Sequence, residues 1–229
     1  MRKWVFIHLP KTAGTSFQFA LRRIAGEEAV SPGFVASRLS LEEANRLDRY
    51  RVISGHISFH DVARYFPDRA ILTILRDPVE RCLSWYYFAR AAPPAAETPV
   101  DVRAAQNNGV DDFFALDRRI VHRNIYNRQV RQLGAHVLDV DADCDKALET
   151  AKQTLSAAAW VGRQESLASD ILALGDKFPE WKGLAAPVLN QSVDSARNAG
   201  NAPELLTKIR NFNRYDLELH EFARSHLFR

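Results

Sequence analysis

Three short segments place a cation or a histidine directly after an apolar run. "WVFIHLPK" leads into Lys11, "RVISGH" into His56 and "AILTILR" into Arg76. A lysine is a mobile point charge, and an arginine presents a planar fork that matches two phosphate oxygens. A histidine changes charge near neutrality and can take a proton. Together these residue types can hold a multiply charged anion and move a proton beside it.

The first segment continues as "PKTAGTS" (residues 10–16), which reads as a strand end, a tight loop and a helix start. Backbone N–H groups at a helix start have no intrahelical acceptor, and the helix dipole favours negative charge there. Ala13 and Gly14 let the backbone come close to an anion, while Thr12, Thr15 and Ser16 offer hydroxyls. The order differs from a nucleotide P-loop, GxxxxGK[ST], because here the lysine precedes the loop. The competing reading is a plain helix cap with a solvated lysine. In "RDPVERCLSWYYF", Ser84 follows Arg76 by eight residues, inside a helix that opens with Pro78. Here the competing reading pairs Arg76 with Asp77 or Glu80 and packs Ser84. Two cradles together point to a ligand with two phosphate-bearing ends.

Several other residues have two readings. His60 is near enough to His56 to share a proton-transfer role. Arg118, Arg119, Arg123, Arg128 and Arg131 form a basic helical stretch that either meets an anionic acceptor, with Arg128 and Arg131 as candidates, or is a solvated face. Trp85, Tyr86 and Tyr87 either stack on a sugar or pack in the core. "DVDADCD" (139–145) lacks the glycine and closing glutamate of a calcium loop, so solvated carboxylates near a helix start explain it, and no metal site is expected.

The elements that must position these groups follow from hydrophobic pattern. Strands are expected at 3–9, 51–57, 70–75 and 135–140, a short strand and loop over 158–165, and helices at 16–25, 39–50, 60–66, 78–90, 110–133, 145–156, 166–178 and 204–227. The last is expected to break around 211–215. Ser40 with Glu43 reads as a capping box. Residues 91–110, rich in Pro, Ala and Asn, read as a loop or lid insertion, and 189–200 as a polar loop. Strands alternating with helices imply an α/β fold with a mainly parallel sheet, as one domain over 1–229. In such sheets ligands bind beyond the carboxyl ends of the strands. If the strands are parallel, Lys11, His56 and Arg76 emerge at one edge.

The bulk composition sets limits. The chain has 229 residues and a net charge of +3, with a pI near 8.9. That suits an anionic ligand but not a broad nucleic-acid footprint. Cys82 and Cys144 have no metal or disulfide spacing and read as reduced thiols. Trp4 to Leu9 is too short for a signal or membrane segment, so a soluble, cytoplasmic protein is expected.

"HLPKTAGTS" and "RDPVERCLSWYYF" resemble the two cofactor-binding segments of the carbohydrate sulfotransferase superfamily, nearest to its uronosyl 2-O-sulfotransferase-like group and bacterial members. "GHISFHDVARYF", "YNRQVRQLG", "VGRQESL" and "NRYDLELHEFA" extend the resemblance along nearly the whole chain. It implies a P-loop-like α/β fold and 3′-phosphoadenosine 5′-phosphosulfate (PAPS) as donor. By the same resemblance, Lys11, Thr12, Ala13, Gly14, Thr15 and Ser16 hold the 5′-phosphosulfate, Arg76 and Ser84 hold the 3′-phosphate, and His56 is the general base. Eukaryotic members of the group are Golgi membrane proteins with disulfides. The absence of both here shifts the expected acceptor to a smaller glycan, glycolipid or metabolite hydroxyl in a bacterial cytoplasm. A sulfuryl group carries less charge than a phosphoryl group, so a magnesium clamp is less needed. The rival readings are an ATP-dependent kinase of related fold and a non-catalytic nucleotide-binding module.

Overall fold

The computed structural model describes residues 2–35, 38–93, 95, 97–121, 123–135, 143–185 and 202–228. Its centre is a 5-stranded sheet in the order β2-β3-β1-β4-β5, with every pairing parallel. The strands are β1 (Trp4–Ile7), β2 (Phe34–Val35), β3 (Val52–His56), β4 (Ala70–Leu75) and β5 (Trp160–Arg163). β1 is central, with Trp4 opposite Val52 on one side and Ala70 on the other.

Side chains alternate between the two faces of the sheet, as the strand period of two requires. Val5, Ile7 and Ile53 pack into one core, and Trp4, Phe6 and Val52 into the other. The second core is covered by α1 (Gly14–Ala25) and α10 (Leu167–Lys177). The first is covered by α2 (Leu41–Asp48), α3 (Phe59–Tyr65), α8 (Arg128–Gly134), α9 (Cys144–Ala157) and α12 (Arg214–His226). A third apolar cluster lies beside the sheet. It joins α4 (Pro78–Arg90) to α5 (Val100–Asn107), α6 (Val110–Phe113), α7 (Arg118–Val121) and α11 (Pro203–Phe212).

The structure refines the sequence reading in three places. Strand β2 is only two residues long and carries no readable period, yet it seats on β3 at Gly55, where an added Cβ would lie 2.7 Å from the Phe34 ring. Residues 91–110 are not wholly loop, because α5 forms there and buries Asp101 and Ala105. The single helix expected over 110–133 is three short ones. It is interrupted at Asn127, whose φ of 42° is left-handed. The tail is broken at Asn213, inside the expected window. The strand expected at 135–140 and the loop at 189–200 lie outside the described residues, apart from Ala135.

Local rules hold elsewhere. Ser40 Oγ accepts the Glu43 amide at 3.2 Å and Glu43 accepts the Ser40 amide at 2.8 Å, closing the capping box. Asp143 caps α9 from a solvent-exposed position, accepting the amides of Asp145 and Lys146. Both cysteines are free thiols. Among the described residues no helix is long and apolar enough to cross a membrane, and no acidic, histidine or cysteine group has metal-binding spacing.

Candidate active site

The connection leaving β1 leads to the β3 side of the sheet, and the one leaving β4 leads to the β5 side. A crevice therefore opens between the carboxyl ends of β1 and β4. Lys11 follows β1 and Arg76 follows β4. They meet there, with an Arg76 guanidinium N–H donating to the Lys11 carbonyl at 3.2 Å.

The loop from β1 into α1 is tight. Lys11 and Ala13 both have left-handed backbones, at φ 67° and 65°, a conformation that costs on the order of 1 kcal/mol or more for a residue with a Cβ. Thr12 is fully buried, and its hydroxyl donates to the Leu9 carbonyl at 2.9 Å, closing the loop. The first intrahelical bond runs from the Phe17 amide to the Ala13 carbonyl. The preceding amides thus open the helix, and Ala13 at the N-cap brings no side-chain oxygen to them. Thr15 is exposed and Ser16 is buried. Gly14 is required by close approach, because a Cβ there would collide with the His8 ring.

His8 is the residue that pattern reading missed. It stacks on His56 with ring centroids 4.2 Å apart, and its backbone carbonyl lies 2.7 Å from His56 Nδ1. A carbonyl only accepts, so Nδ1 carries the proton and Nε2 presents a lone pair. Both rings are held neutral. Burial, then the positive charge of Arg128, pull His56 down to about 4, against the opposing hydrogen bond to His8. Burial, then His56, Arg128 and Lys11, pull His8 down to about 3.

The remaining candidates divide by place. The Lys11 ammonium sits 4.2 Å from the centroid of the Phe88 ring, which is 60% exposed. Arg76 is buried, with a guanidinium nitrogen 3.6 Å from Glu80, as one of the competing readings had it. Asp77 instead caps α4 through the Val79 and Glu80 amides. Ser84 is buried two turns into α4. His60 is exposed on the first turn of α3. Trp85 and Tyr86 are buried in the third cluster.

The basic stretch is not one solvated face. Arg118 and Arg119 are exposed, whereas Arg128 and Arg131 are buried. Arg128 donates to Gln132 at 3.1 Å and to the Arg123 carbonyl at 2.9 Å, and its charge acts on both histidines. Arg131 donates to the Tyr126 carbonyl at 3.2 Å.

Lys11, His56 and Arg76 thus follow strands at one carboxyl edge of a parallel α/β sheet, beside a helix start whose open amides can accept an anion. The family model for the sulfotransferase family matches residues 2–223. The chain therefore belongs to the sulfotransferase family, whose members transfer sulfuryl groups. Comparison with curated proteins finds no match.

Proposed function

We propose that the protein transfers the sulfuryl group of PAPS to a hydroxyl of a carbohydrate-like acceptor by in-line displacement. The observation that carries this reading is the fixed His56 tautomer, with Nδ1 on the His8 carbonyl and Nε2 left as a base. His56 Nε2 takes the acceptor proton as the acceptor oxygen bonds to sulfur. The bond from sulfur to the 5′-phosphate oxygen breaks, and 3′-phosphoadenosine 5′-phosphate (PAP) leaves with the negative charge. Lys11, moving off Phe88, and the amides opening α1 stabilise that charge. Thr12 shapes the loop, while Ala13, Gly14, Thr15 and Ser16 line it. Arg76 and Ser84 take the 3′-phosphate, and the phosphate replaces Glu80 as the partner of Arg76.

The acceptor in this proposal is a small glycan, glycolipid or metabolite, in a bacterial cytoplasm. Residues 91–110 follow Phe88, whose ring meets the Lys11 ammonium, and are assigned to cover the acceptor side within a single domain over 1–229. His60, exposed on the first turn of α3, is the alternative base. Arg128 and Arg131, both buried, are assigned to support the site rather than to touch the acceptor.

A thermal-shift titration tests the donor class. PAP without magnesium should raise the melting temperature by about 5–10 °C at a hundredfold excess over Kd. Adenosine 5′-phosphate should do less, and Arg76→Ala should abolish the difference between the two nucleotides. Stabilisation only by ATP with magnesium would point to the kinase reading and overturn this one.

A further inference from the structure

Beyond Ile7 the paired register of β1 with β3 and β4 ends, and side chains tie together the segments that follow. Helix α8 does so with two glutamines three residues apart, which share one helix face. Gln129 clamps the peptide groups of Arg76. Its Oε1 accepts the Arg76 amide at 3.2 Å and its Nε2 donates to the Arg76 carbonyl at 3.0 Å. Gln132 spans the neighbouring strand ends, its Nε2 donating to the His8 and Ile57 carbonyls, both at 3.0 Å. Its Oε1 accepts from Arg128. Both glutamines are fully buried and have their side-chain groups paired, as costly buried amides must.

We propose that Gln129 and Gln132 are separate positioning residues for donor and base: Gln129 sets Arg76 for the 3′-phosphate, and Gln132 fixes the His8 carbonyl that selects the His56 tautomer. The roles assigned to Arg76 and His56 rest on the sulfotransfer reading above. A carbonyl oxygen has two lone pairs. At His8 one accepts from Gln132 and the other from His56, so removing Gln132 frees the peptide group to turn. His56 also faces the His8 ring beside β1 and feels the charge of Arg128 from α8, while the Lys11 charge acts on His8. None of these three fixes Nδ1. The two glutamines thus act on different halves of the reaction although they stand on one turn of helix.

The test compares Gln129→Met and Gln132→Met, which keep side-chain length. PAP affinity is measured by calorimetry, and the His56 tautomer by nitrogen-15 NMR of labelled imidazoles. Gln129→Met should weaken PAP binding about tenfold and leave the His56 signals in place, a single lost charge-supporting contact being worth about that factor. Gln132→Met should keep PAP affinity within about twofold, populate the other His56 tautomer, and lower kcat about tenfold with donor KM little changed. If Gln132→Met does not fold, Gln132→Glu keeps the acceptor for Arg128, loses the donor, and should give the same NMR change. Equal effects of both substitutions on binding and tautomer, or an unchanged tautomer in the Gln132 variants, would overturn the proposal. The binding and NMR readouts need no turnover. If the two variants show the split but the wild type transfers no sulfuryl group, the reaction is refuted and the two positioning roles stand.

Discussion

At the scale of single residues the proposed reaction depends on a histidine kept neutral and protonated at Nδ1. His56→Ala should lower transfer by about 10²–10⁴ while PAP still binds, since the anion cradle lies on other strand ends. The same histidine leaves a mark on stability. Its ordinary value of 6.5 falls to about 4 in the fold, so between these values the unfolded chain binds more protons than the folded one. Stability is therefore full above 6.5 and falls as pH drops through that window, by on the order of 3 kcal/mol at pH 4 from His56 alone. His8 adds to the loss in the same direction, since it too is depressed, to about 3. Denaturant melts from pH 7.5 to 4 should show this slope, and it should shrink in His56→Ala. A flat wild-type profile would contradict the buried, neutral pair. That Lys11, His56 and Arg76 share one edge of the sheet was legible because each follows an apolar run. His8 was not, because within the run it reads as an interruption, and its role lies in a stack and a backbone carbonyl that no spacing encodes.

At the scale of elements, the start of α8 explains why the pattern over 110–133 misleads. Periodicity there is helical throughout, but Asn127 leaves the helical region and its side chain serves another helix, accepting the amides of Tyr215 and Asp216 at 3.1 and 3.2 Å. Asp216 answers by accepting the amides of Gln129 and Val130 at 3.1 and 2.8 Å. Asn213 also accepts the Asn127 amide. Two helix starts, far apart in sequence, thus cap each other, and a local sequence window cannot contain both partners. Asp216 is completely buried, which pushes its carboxyl above the ordinary value, against the opposing charges of Arg81 and Arg131 and the amides it accepts. Asp216→Asn should cost about 3 kcal/mol in urea unfolding, since one amide of α8 then faces an NH2 group and the arginines lose their counter-charge. Asn213→Ala should cost about 1 kcal/mol. Equal costs for the two would show that the charge at Asp216 is not what matters. The parallel strands and most helices were legible because burial on both sheet faces writes continuous apolar runs. Strand β2 and helix α5 were not, since both are fixed by what they pack against.

At the scale of the whole molecule, the two edges of the sheet do different work. The carboxyl edge holds the histidines, Lys11 and Arg76. The amino edge is closed by Arg69, which is 6% exposed. One guanidinium nitrogen donates to the Trp4 and Arg51 carbonyls at 3.1 and 3.3 Å. Another donates to the Asp48 and Tyr50 carbonyls, both at 2.9 Å, and to the Asp48 carboxylate at 2.8 Å. Lys3 joins the same carboxylate. These bonds, Arg69 first and then Lys3, hold the Asp48 carboxyl below its ordinary value of 3.8. Its contribution is therefore present at neutral pH and lost only as pH falls through that depressed value, below the histidine window. Lysine cannot reproduce the planar fork, so Arg69→Lys should remove about 2–3 kcal/mol and lower the melting temperature by about 5–10 °C. The further rise on adding saturating PAP should equal that of the wild type, because no strand end of the site is touched. A PAP-induced rise that shrinks along with stability would mean that the two edges are coupled through the sheet, and that the division of labour argued from its polarity is wrong.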